Sequence, residues 1–119
     1  MAWQPSAPGS PRRPRPVTTN GRLARGATAP SDGEETLALA RGAGFAVEQI
    51  LSGHLVAPQD YEQEHDEWVV VLEGAATLEV DGIAHDLTAG DWWLLPAGTP
   101  HRLVHTEPGT SWLAVRSTG

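Results

Sequence analysis

Two short stretches hold the side chains of this chain that could do chemistry. The first, GDWWLLPAGTPH over residues 90–101, sets a glycine turn, an apolar run, a proline-glycine turn and then His101 in fixed order. Pro100 keeps the backbone before it extended and lacks a ladder donor, which suits the first residues of a strand at a barrel mouth. The imidazole of His101 is therefore aimed with little freedom. The second stretch, YEQEHDEWVVVLEG over residues 61–74, spaces Gln63, His65 and Glu67 two apart, so in an extended chain all three point to one face. Glu62, Glu64 and Asp66 then face solvent. A glutamate that opens the apolar run WVVVL is costly to bury unless a cation or hydrogen bonds receive it. Together the blocks describe a metal cup in which Glu67 and His101 bind a divalent ion with Gln63 or His65, and His105 as a further donor. This oxygen-rich mixed set suits Fe, Mn, Ni or Zn without choosing among them.

Strands must position these groups, and the texture of the chain supplies them. Candidate strands run over 45–51, 67–73, 75–80, 83–87, 91–95, 101–105 and 111–116, separated by Gly74, Asp81-Gly82, Ala89-Gly90, Ala97-Gly98 and Pro108-Gly109. Asp81-Gly82 is a two-residue hairpin signal, because a type I′ turn needs positive φ at both central positions. Many short strands with Gly and Pro turns mean an all-β sandwich or barrel. Upstream, Ser31 and Glu34 have capping-box spacing, which predicts a short N-terminal helix or turn. Residues 1–19, with five prolines and three arginines, predict a disordered tail ahead of a single domain over 20–119. Adjacent Trp92 and Trp93 must face opposite sides of their strand. Trp93, with Tyr61 and His105, is the candidate wall for a small-molecule ligand.

Gly90, Pro96, Gly98 and His101 match the second motif of the cupin superfamily without a gap, with His105 where that motif usually has asparagine. Glu67 and Gly74 fit the second half of the first motif, while its two histidine positions fall on Tyr61 and Gln63, or on Asp60 and Glu62. The chain also resembles small single-domain bacterial cupins in Glu67-Trp68-Val69 and in Trp112-Leu113-Ala114-Val115. The resemblance implies a double-stranded β-helix, the cupin jelly-roll barrel, with a metal-binding mouth, and pairing into a homodimer. It does not imply a reaction.

The bulk composition narrows the function classes. The 119 residues suffice for one core and no second domain. The net charge is −7, lysine is absent, and all acids lie at or after Asp32, so nucleic-acid binding by the folded part is not expected. There is no cysteine, so no disulfide or thiolate chemistry, and any metal must take nitrogen and oxygen ligands. No apolar run approaches the roughly 20 residues of a membrane span, which makes a cytoplasmic protein with no membrane partner the expectation. No phosphate loop or Ser-His-Asp order appears. Two functions stand open: a metal-dependent cupin that acts on or binds a small polar metabolite, and a metal-free ligand-binding, sensing or structural module.

Overall fold

Period-two alternation of inward apolar and outward polar residues drives almost every element. The computed structural model describes residues 19–118. Among them run β1 (Glu34–Gly42), β2 (Phe45–Ser52), β3 (Gln59–Tyr61), β4 (Glu67–Glu73), β5 (Ala75–Val80), β6 (Ile83–Thr88), β7 (Trp92–Leu95), β8 (His101–Thr106) and β9 (Thr110–Ser117). Two antiparallel sheets result, one in the order β1-β2-β9-β4-β7 and the other β3-β8-β5-β6. They face each other as a jelly roll, the all-β architecture expected from the turns and short strands. No helix among the described residues is long and apolar enough to cross a membrane.

The core lies between the sheets. Val69 and Val71 of β4 and Trp112 and Ala114 of β9 meet Leu78 and Val80 of β5 and Leu103 of β8. Each fully buried valine or leucine stabilises the fold by about 1.5–3 kcal/mol relative to exposure. The carboxamide of Gln49 is buried outside this cluster. It accepts from the Ala24 amide at 2.8 Å and donates to the Ala24 carbonyl and the Ser111 hydroxyl, which ties the segment before β1 onto β2 and β9.

The turns behave as their residues require. Asp81 and Gly82 have φ of 51° and 78°, so the β5–β6 hairpin has positive φ at both central positions. Gly74, at φ 85°, joins β4 to β5 where a Cβ would come within 2.5 Å of Thr110 Oγ1.

Three expectations change. Ser31 and Glu34 do not cap a helix: Glu34 opens strand β1, and the helical turn among the described residues is a 3-10 turn at Gly26–Thr28. β1 is an addition to the expected strands: EETLALA alternates only weakly, and its register on β2 slips between Ala38 and Ala40. The short β3 is also an addition, held by pairing of Gln59, Asp60 and Tyr61 with Leu103, Arg102 and His101. The expectation of a disordered tail over 1–19 falls almost wholly outside the described residues.

Candidate functional site

A cavity of about 290 Å³ opens between the sheets. Its polar wall is made by Glu34, Thr36, Glu48, Tyr61, Gln63, Glu67 and His101. Its floor is apolar, formed by Ile50, Val69, Leu78, Leu95, Leu103 and Trp112. The strands explain the arrangement. Glu67 heads β4 and alternates inward with Val69 and Val71, and His101 heads β8 and alternates inward with Leu103. Glu48 lies inward with Ala46 and Ile50 on β2, and Glu34 comes from β1 opposite Ser52.

Glu67 and His101 are buried polar groups, 9% and 8% exposed. Burial pushes the Glu67 carboxyl above the usual carboxylate range; His101, a hydrogen bond from Gln63 and His65 pull it back down, and Glu48 raises it further. His101 Nδ1 lies 3.1 Å from the Thr99 carbonyl oxygen, which can only accept. Nδ1 therefore donates to that carbonyl. Tyr61 stacks on His101 with ring centroids 5.5 Å apart and planes within 15°. Its hydroxyl lies 2.6 Å from Gln59 Oε1 and 3.1 Å from Glu34 Oε1, and its single proton serves one of them at a time. Burial first, and then Glu34 and Glu67, push the Tyr61 phenol up to about 12, so it stays neutral.

A relay of hydrogen bonds fixes the back of the cavity. The Trp112 indole donates to Ser52 Oγ at 3.2 Å, and the Ser52 hydroxyl donates to Glu34 Oε2 at 2.7 Å. Arg116 is tied to Glu48 at 3.3 Å.

The structure thus gathers Glu67, His101, Gln63 and Tyr61 on one wall. His65 sits on the same side of the chain and acts on Glu67 electrostatically, but it does not line the cavity. The alternation of 61, 63, 65 and 67 inward and 62, 64 and 66 outward holds even though residues 62–66 form no regular strand. Two of the residues expected at the mouth lie elsewhere. His105 is exposed because the β5–β8 register shifts between Thr77 and Leu78, so that His105 pairs with Thr77 and Leu103 with Leu78. That one-residue slip between Leu103 and His105 reverses the parity that would have carried His105 inward. Trp93 does face inward, but it packs against the core and meets His85 with ring centroids 4.3 Å apart and planes tilted by 41°, in a separate hollow bounded by Asp86 and Trp92. Glu34, Thr36 and Glu48 were not read as site residues. Glu48 shares a face with Ala46 and Ile50 in the sequence, and its charge on an otherwise apolar face was the available signal.

Among the described residues no group of three His, Cys, Asp or Glu converges closely enough to hold a divalent ion. Two buried polar atoms nevertheless lack a partner, Gln63 Oε1 and His65 Nε2, and both side chains bear on Glu67. A metal here would need Glu67 and His101 together with these orphans, so the amide oxygen of Gln63 takes the place that a third ionisable ligand would hold.

The pattern of the family described as Cupin domain matches residues 46–115. A structure from Ralstonia eutropha JMP134, provisionally designated a mannose-6-phosphate isomerase, is 30% identical, with 83% of this chain and 100% of that one covered at a TM-score of 0.70. A cupin superfamily protein from Desulfitobacterium hafniense DCB-2 is 18% identical over 91% of this chain and 100% of its own, with a TM-score of 0.64. KdgF from a Halomonas species is 22% identical over 71% and 78%, with a TM-score of 0.62. The last two likenesses show the fold alone. No curated protein sequence matches the chain.

Proposed function

The chain belongs to the cupin family, and on that premise we propose that it binds a small polar metabolite inside the barrel, gripped between the carboxyl of Glu67 and the imidazole of His101. The observation that carries this reading is the pairing of two nearly buried ionisable groups across a cavity with an apolar floor, beside an unpartnered amide oxygen on Gln63. Sites that take small ligands are concave, mostly apolar, and carry a few convergent polar groups. Trp112 and its aliphatic neighbours supply the dry surface, and Tyr61 holds the His101 ring by stacking. Glu67, its acidity weakened by burial, and the imidazole of His101 form a pair able to exchange protons with a bound hydroxyl or carbonyl. The designation of the Ralstonia relative as a sugar-phosphate isomerase supports a hydroxylated ligand. It does not extend to the reaction.

The test is thermal denaturation against a panel of neutral, cationic and anionic metabolites for the wild type, Glu67→Gln and His101→Gln. A ligand at one hundred times its Kd stabilises by about 2.7 kcal/mol. The reading predicts a compound that raises the wild-type Tm and loses that effect in both variants. Equal shifts in all three proteins, or no shift from any compound, would refute it.

A second reading is favoured by the two orphaned atoms. Glu67, His101 and Gln63 Oε1, with His65 Nε2, would hold a divalent ion, which supplies Lewis acidity toward a bound oxygen when present. Elemental analysis of untagged protein checks it: metal in the wild type and none in the Glu67→Gln and His101→Gln variants supports an ion, and equal content in all three removes it.

A further inference from the structure

The chemistry of the cavity wall limits the charge of its ligand. On the basis of the metal-free ligand-binding reading above, we propose that the occupant is a donor-rich small molecule carrying an ammonium group, a hydroxylated amine, and that the cavity rejects its phosphorylated counterparts. Apart from the Thr36 hydroxyl, the polar wall is made mostly of acceptors. Glu34, Glu48 and Glu67 bring three carboxyl groups, and Gln63 Oε1 is a buried acceptor with no partner. The Nδ1 hydrogen of His101 is spent on the Thr99 carbonyl.

Apart from the Thr36 hydroxyl, the neutral donors nearby are already committed. The Tyr61 proton goes to Gln59 or Glu34, the Ser52 hydroxyl to Glu34 and the Trp112 indole to Ser52. The Gln63 amide hydrogen-bonds Glu67. Fixed cations are missing from the wall as well. Arg116 is paired with Glu48, Arg102 is paired on the outside with Asp60 at 2.7 Å, and the chain has no lysine. A phosphate needs several donors, preferably from guanidinium or ammonium groups, and a buried anion without them is heavily penalised. An ammonium with flanking hydroxyls offers what the wall lacks: N–H and O–H donors for Glu34, Glu48 and Gln63 Oε1, and positive charge among carboxylates.

The experiment uses three probes that share one ring and differ in charge: glucosamine, glucose and glucose 6-phosphate. Each is titrated calorimetrically into the full chain in chelator, at a pH where the amine is protonated. The proposal predicts that glucosamine binds at least about tenfold more tightly than glucose, a factor equal to about 1.4 kcal/mol, with no measurable binding of glucose 6-phosphate. In Glu34→Gln and Glu48→Gln the advantage of the amine shrinks. Glucose 6-phosphate binding as well as glucosamine, equal affinity for all three, or binding by none overturns the proposal. In the last case the metabolite panel still decides separately whether the cavity binds ligands at all. A repeat with zinc added separates the two readings: sugar-phosphate binding that appears only with the ion also overturns the proposal, because the ion then supplies the charge.

Discussion

Replacing His65 by phenylalanine separates the metal-free account from the metal-bound one. His65 Nε2 is buried and has no hydrogen-bond partner, and leaving a buried polar atom unmatched costs about 1–3 kcal/mol. Phenylalanine keeps a flat ring of similar outline and removes that atom. Two features place the gain at the low end. The residue as a whole is only half-buried, and its loss removes one of the weaker pulls that favour the charged form of Glu67. The expected net gain is about 1 kcal/mol, which raises the Tm of a domain this size by about 4–8 °C. Circular-dichroism melts of both proteins in chelator give the answer. A Tm that falls by a similar amount would refute the reasoning about the orphaned nitrogen. A loss of stability seen only without chelator would instead identify His65 as a ligand to a bound ion.

Further outcomes follow from the same wall. Glu67 holds its proton more tightly in the folded than in the unfolded chain, so the folded state binds more protons between the ordinary glutamate range and the raised folded value. Wild-type stability therefore falls as pH rises through that window and then levels, while Glu67→Gln removes the slope; melts from about pH 4 to pH 8 show whether it does. Tyr61 is the only tyrosine, so phenolate absorbance reports it alone: the folded protein should titrate at about 12 and Glu34→Gln should titrate lower, and an ordinary midpoint in the folded wild type would contradict its burial beside Glu34. Gly74→Ala puts a Cβ at a positive φ and within 2.5 Å of Thr110 Oγ1. It should cost about 3 kcal/mol in a urea unfolding series, from left-handed strain and overpacking together.

Much of the architecture was legible because turns and alternation are local. The strands from β4 to β9 fall within a residue or two of the runs that alternate between glycines, and Asp81-Gly82 specifies its hairpin by φ alone. The inward set of Gln63, His65 and Glu67 was readable from a spacing of two. What escaped was long-range. Glu34 became a wall residue only through the pairing of β1 with β2, and its capping-box spacing with Ser31 pointed to a helix that tertiary pairing overrides. His105 was lost to a single irregular residue in β8, a feature that no alternation pattern announces. Alternation puts Trp93 on one side of its strand, but its depth along the barrel depends on what lies opposite, and that is His85 of β6 rather than the cavity mouth.

The account rests on Glu67 and His101 lining one hollow from the two opposing sheets. Its most direct test is the side-chain carboxyl ¹³C shift of Glu67, followed against pH by NMR in the wild type and in His101→Gln. The account predicts a midpoint above the usual glutamate range in the wild type and a still higher one in the variant, because burial raises it and the imidazole opposes that rise. An ordinary midpoint, unmoved by the loss of His101, would place the two groups apart and contradict it.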